Sequence, residues 1–134
     1  MVRVASAVGL ALLVALLQAC STEPGRALQK EFDGLFSPAK GEAAFKNGLK
    51  QYDDGDYVDA MKSLQAAVAE GLRDRDKVAA HKHLAFIHCA SGRERQCRDE
   101  FRRALAVDSS LELSPAEAGH PVWGPIFRSL KAGR

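Results

Sequence analysis

Gly55-Asp56-Tyr57-Val58-Asp59-Ala60 is the stretch on which the fold turns. It closes a turn-forming run, Asp53-Asp54-Gly55-Asp56, and opens a segment whose apolar residues recur with a helical period. Before the turn, Ala44, Gly48 and Tyr52 share one helical stripe; after it, Tyr57, Ala60, Leu64 and Ala67 share another. Two helices that meet at Gly55 therefore fold back as a hairpin. Gly48 and Ala60 fall where those helices cross, and larger side chains there would force them apart. A second turn, Ser91-Gly92-Arg93, separates a second pair of stripes: His81, Leu84, Ala85 and His88 before it, and Cys97, Phe101 and Ala104 after it. The two hairpins superpose. Gly48 falls on Ala85, Gly55 on Gly92, Ala60 on Cys97, Leu64 on Phe101 and Ala67 on Ala104, each pair 37 residues apart.

A helical hairpin repeated at this interval, with small residues at the crossing, resembles the tetratricopeptide repeat (TPR). The period of that family is about 34 residues, so a short insertion near Arg73 to Lys77 accounts for the difference. The first hairpin carries the family's turn and second-helix start; the second departs from it with Glu94 at an aromatic position and Ser109 at the usual proline. After Leu113, Ser114-Pro115-Ala116-Glu117 reads as a capping box with proline at the first helical position, held to a short turn by Gly119 and Pro121. A final helix over Pro125 to Lys131 aligns Ile126, Phe127 and Leu130, which would cover the open edge of the second repeat. The expected fold is all-α: a TPR-like stack of two helical hairpins plus a C-terminal capping helix.

The beginning of the chain carries an address. Arg3, an apolar run from Val8 to Leu17 and the small Ala19 before Cys20 have the layout of a secretory signal, and the run is too short to span a bilayer. Leu17-Gln18-Ala19-Cys20 resembles the bacterial lipobox, with Gln18 an uncommon occupant of its position. That resemblance implies that residues 1–19 are cleaved and that Cys20 is lipidated; a plain secretory signal with a chance cysteine is the alternative. Several acyl chains would hold the protein at a membrane, each methylene contributing about 0.8 kcal/mol. Ser21 resembles the sorting pattern for the outer membrane, which gives an expected location there, lipid-anchored and facing the periplasm. Residues 20–40, with Pro24, Gly25, Gly34 and Pro38, read as a tether in which Leu28 to Phe36 could form a docking turn. Residues 41–134 are then one helical domain. Without Arg3 the charge is almost balanced, so no nucleic-acid field is expected.

Cys89 and Cys97 stand four residues either side of Arg93, where an antiparallel pair brings them face to face. In an oxidising compartment this favours a disulfide, against the alternative of two unpaired buried thiols; the CxxC spacing of a redox pair is absent. His81, His83, His88 and His120 lack a carboxylate or free cysteine to complete a metal shell, so no metal or other cofactor is expected. Asp53, Asp54, Asp56 and Asp59 lack the glycine and glutamate of a calcium loop. No nucleophile, paired carboxylates or phosphate loop can be assembled, and the chain is read as a non-enzyme with no small-molecule substrate. Its expected partners are proteins. The TPR resemblance implies that they dock on the concave face, to which Asn47, Gln51, His81 and His88 are assigned. Trp123, bracketed by Pro121 and Pro125, either plugs the end of the stack or forms a second, separable anchor.

The lipobox, the small TPR domain, Ala80-His81-Lys82-His83-Leu84-Ala85-Phe86-Ile87-His88-Cys89 and the ending Gly119-His120-Pro121-Val122-Trp123-Gly124-Pro125 together resemble the type VI secretion-associated, TssQ-like lipoproteins. This implies an accessory that binds a component of the secretion envelope complex. The alternative is a structural adaptor for outer-membrane assembly or peptidoglycan machinery.

Overall fold

Four long helices and two shorter ones account for most of residues 37–133, the part of the chain that the computed structural model describes. Cys20, Ser21 and the turn expected over Leu28 to Phe36 lie outside the described residues. Helix α1 is Glu42–Asp53, α2 Tyr57–Glu70, α3 Asp74–Ala90, α4 Glu94–Val107, α5 Pro115–Ala118 and α6 Trp123–Ala132; no strand occurs among the described residues. Helices α1 and α2 form one antiparallel hairpin and α3 and α4 the next. Helix α3 packs on both helices of the first hairpin, and α6 closes over α4 and α3. The fold is an all-α, TPR-like stack with a C-terminal cap.

The 37-residue relation extends to the element boundaries. Tyr57 and Glu94 open α2 and α4, Glu70 and Val107 end them, and Asp53 and Ala90 end α1 and α3. Only one boundary departs. Helix α3 has 17 residues against 12 in α1, and it begins at Asp74 where the repeat would begin at Ala79. The insertion near Arg73 to Lys77 is therefore absorbed as helix, an extra turn and more at the start of α3, with Asp74 and Asp76 placed favourably at its positive end.

Both turns have one construction. Gly55 and Gly92 take φ of 85° and 71°, in the left-handed region that a Cβ disfavours. The Gly55 and Asp56 amides donate to the Tyr52 and Gln51 carbonyls at 3.1 and 2.8 Å. The Gly92 and Arg93 amides donate to Cys89 and His88 at 3.0 and 2.9 Å. Each turn thus satisfies carbonyls that the helix end leaves open.

Two apolar clusters fill the stack. The first joins Phe45, Ala60, Leu64 and Ala67 to Leu72, Ala80, Leu84 and Ile87; the second joins Ala85, Phe86, Cys89, Cys97, Phe101 and Leu105 to Leu113 and Phe127. Tyr52 packs against both. At the first crossing, a Cβ added to Gly48 would stand 2.8 Å from Leu64 Cγ, closer than carbon atoms pack. Tyr57, expected on the core stripe, is instead half exposed at 50%. It lies in the first turn of α2 and meets the Tyr52 ring edge-on at 5.4 Å. Phe45, next to the expected Ala44, takes the buried place.

The C-terminal part begins with the expected capping box: the Ser114 amide donates to Glu117 Oε2 at 2.9 Å and the Glu117 amide to Ser114 Oγ at 3.4 Å. Helix α6 starts two residues earlier than expected, at Trp123. Pro125 is tolerated there because amides in a helix's first turn have no partner within the helix. Phe127 is buried against Phe101, with ring centroids 5.2 Å apart, while Ile126 and Leu130 are partly buried on the same cluster.

Candidate functional site

Helix α3 distributes its residues over three directions, and these define the candidate surface. Ala80, Leu84 and Ile87 enter the cluster shared with the first hairpin, while His81, Ala85 and His88 turn toward α4. Lys82, His83 and Phe86 occupy the remaining arc with Ala79. Their 37-residue counterparts on α1 are Phe45, Lys46, Leu49 and Glu42, so the two helices present equivalent faces to the same side.

Rings join those faces. Tyr52 of α1 meets the His83 ring edge-on at 4.9 Å, and Tyr57 flanks Tyr52 at 5.4 Å. His83 then meets Phe86 at 5.9 Å, Phe86 stacks with Trp123 at 4.6 Å, and Trp123 stacks with His120 at 3.2 Å. The run from Tyr57 to His120 crosses both hairpins. Edge-to-face and offset geometries of this kind contribute about 0.5–1.5 kcal/mol per pair beyond area burial.

The charges along this run are few and held. Lys82 Nζ donates to Glu117 Oε1 at 2.6 Å and lies 5.7 Å from the Phe86 ring centre. Burial pushes the Glu117 carboxyl up, but the hydrogen bonds from Lys82 and Ser114 outweigh it and hold the group below its ordinary value. His83 Nδ1 lies 2.7 Å from the Ala79 carbonyl oxygen. A carbonyl can only accept, so Nδ1 carries the proton, and Nε2 is the acceptor of the neutral ring. Burial lowers the pKa of His83 in spite of that hydrogen bond, which keeps the ring neutral. Burial also raises that of Tyr52, with Tyr57 adding to the effect.

The four residues assigned to the concave face from the sequence occupy other places. Asn47 Nδ2 donates to Ser63 Oγ at 3.3 Å, and Ser63 Oγ donates to Gln51 Oε1 at 2.7 Å, so both residues serve a polar seam between α1 and α2. His81 is buried in the corresponding seam of the second hairpin, its Nδ1 donating to Glu100 Oε2 at 2.6 Å; Arg103 takes the other oxygen of Glu100. His88 is also buried, and burial followed by the neighbouring Arg93 charge lowers its pKa. The correction is one of rotation. One residue turns a helix by about 100°, so Lys82 and His83 face the inner side while His81 faces α4. Both stripes carry polar residues, and polarity alone could not tell them apart. The 37-residue register, read from the next position along, was the signal that could have found Lys82, His83, Phe86 and Leu49.

The two other sequence-derived features lie along the C-terminal half of α3. Cys89 and Cys97 are joined, with Cα atoms 5.1 Å apart, and both are buried beside the turn of the second hairpin. Trp123 is partly buried, stacked on Phe86, and its Nε1 donates to the Glu117 carbonyl at 2.9 Å, contacts that suit a plug. His81, His83 and His88 point to different partners. Among the described residues no three potential ligands converge on a metal position, and no helix is long and apolar enough to cross a membrane.

No family model matches the chain, and no solved structure matches it. Curated proteins do. Over 84 residues, 61% of this chain and 49% of the relative, it is 28% identical to photosystem I assembly protein Ycf3 of Synechococcus sp. (strain CC9605). Over 66 residues, 49% of this chain and 38% of the relative, it is 29% identical to the protein of the same name from Parasynechococcus marenigrum (strain WH8102). The chain thus spans less than half the length of the curated relatives it matches. They correct one expectation. Proteins named for photosystem I assembly do not work at the outer membrane, so the location inferred from Ser21 is withdrawn. The similarity runs to assembly proteins and supports a TPR-like interaction module.

Proposed function

We propose that this chain is a protein-interaction adaptor that receives a segment of a partner along the inner faces of α1 and α3. One observation carries the reading: the ring-lined path from Tyr57 through Tyr52, His83 and Phe86 runs unbroken across two register-equivalent helices. Aromatic side chains supply large contact area at low entropic cost, and a helical face with such anchors is a common receiver of peptide segments. The relatives' assembly role is consistent with an adaptor and supplies no partner for this chain.

The finer reading concerns whom it serves. A lipid-anchored accessory of a type VI secretion system is supported by the Leu17–Cys20 signal and the His120–Pro125 ending. A role in assembling a multisubunit complex is supported by the names of the relatives. Crosslinking capture from membranes with the full chain separates them by what is caught. The same experiment tests the site with Lys46→Glu and Leu49→Glu on the inner face and Arg95→Glu, an exposed residue of α4, as control. Capture should fall at least tenfold for the inner-face variants, with the exposed Lys46→Glu leaving the melting temperature unchanged. Equal capture by all three would reject the inner face as the receiving surface.

A further inference from the structure

Residues 114–123 lie over the inner side of the second hairpin, on Lys82 and Phe86 of α3. Phe86 is 2% exposed beneath Trp123, whereas its counterpart Leu49 is only partly buried. Lys82, at the position that the buried Phe45 holds in the first hairpin, is taken up by Glu117. The segment has little burial of its own: Ser114, Pro115, Ala116, Gly119, Pro121 and Val122 are all exposed. Its backbone hydrogen bonds close within itself, from Ala118 to Ser114, Gly119 to Pro115, His120 to Glu117 and Gly124 to His120. Two side chains, Glu117 and Trp123, hold it to α3. Lifting it breaks the Lys82–Glu117 pair, the Phe86–Trp123 stack, the Arg128 hydrogen bond to the Ala118 carbonyl and the packing of Ala118 on the second cluster, while leaving the backbone bonding of α1 to α4 intact, the signature of a segment that opens below the global unfolding free energy.

From this we infer that residues 114–123 are a displaceable strap, and that the partner segment that replaces it presents a carboxylate to Lys82 and an aromatic ring to Phe86. The inference rests on the adaptor reading and names the chemistry of its ligand. The strap's own side chains define the preference: the inner face of α3 binds an acidic-aromatic segment because it already holds one. An intramolecular occupant competes at high effective concentration, so a free segment binds the closed protein weakly.

The probe is a fluorescent peptide with the sequence of residues 112–125. The full chain carrying Glu117→Gln and Trp123→Ala should bind it at least tenfold more tightly than the unaltered chain does. Adding Lys82→Glu should abolish that gain, as should replacing the glutamate and tryptophan of the peptide. Equal binding to both chains, or binding that ignores Lys82, overturns the strap. Should the double variant lose its helical circular dichroism, the single Glu117→Gln chain decides by hydrogen exchange. Amides of residues 116–122 should then exchange at least tenfold faster with α3 and α4 unchanged, and uniform acceleration of all helices overturns the inference. Failure here with loss of capture by Leu49→Glu would leave the adaptor standing without its strap.

Discussion

At the two hairpin crossings, Gly48 and Cys97 hold close tolerances. Gly48 is required by contact, since its Cβ would also meet the Leu64 amide nitrogen at 3.1 Å, a backbone atom of the facing helix. Gly48→Ala gains about 1 kcal/mol of helix propensity but overpacks a crossing at a cost of about 1–3 kcal/mol. A net loss of stability is expected, read as a lower urea midpoint; a raised midpoint would mean that the hairpin opens to accept the methyl group. Cys97 stands at the equivalent of Ala60, and here a covalent bond does what small size does in the first hairpin. Its closed loop, with a sequence separation of 8, gives about 2.5 kcal/mol in the chain-entropy model. Cys89→Ser should therefore melt well below the oxidised unaltered protein and close to the reduced one. Two free thiols by non-reducing mass spectrometry of protein from its native compartment would remove the premise. Cys20 belongs to this scale too: as the proposed lipidation site it should take up a palmitate analogue, and Cys20→Ala should not. Absence of label from the unaltered chain rejects the lipobox.

Among the elements, α3 carries two histidines whose titration shapes stability. Burial lowers the pKa of both His83 and His88 from the usual value of 6.5, so each folded imidazole binds a proton less readily than the unfolded one. The stability this represents is fully present above pH 6.5 and is lost as pH falls from there through the folded-state values. Melting temperature should decline as pH falls below 6.5, and His83→Gln with His88→Gln should flatten that decline. An unchanged slope in the double variant would assign the acid sensitivity to other groups. Much of the element scale was legible beforehand: the turns at Gly55 and Gly92, the crossings, the capping box and the facing cysteines all follow from local residue type and spacing. What escaped has a physical reason in each case. The extra turn of α3 was hidden because Arg73 to Lys77 is as compatible with a charged loop as with a solvated helix start. The inner face was misassigned because neighbouring stripes on α3 are both polar, and only tertiary packing says which one meets α4. The Lys82–Glu117 pair joins residues 35 apart, beyond any helical spacing.

For the molecule as a whole, the two hairpins are the same unit stabilised to different degrees. The second has a disulfide beside its turn, a larger aromatic core in Phe86 and Phe101, and α6 over its outer edge. The first has Leu49 and Leu64 at the equivalent positions, no crosslink, and a polar seam of Asn47, Ser63 and Gln51. In a stack where each repeat contacts only its neighbours, stability is approximately a sum of hairpin and interface contributions, and the weaker end opens first. Tyr52, packed on both clusters, is the coupling between them. Native-state hydrogen exchange of the oxidised protein should accordingly show α1 and α2 amides opening at lower free energy than those of α3 and α4. Reduction should narrow that gap by accelerating the second hairpin while leaving the first almost unchanged. Tyr52→Ala should widen it, because it cuts the interface without touching the disulfide. A single opening free energy shared by all four helices would instead mean that the stack unfolds as one unit, and the hairpins would then not be the quasi-independent parts that their common register describes.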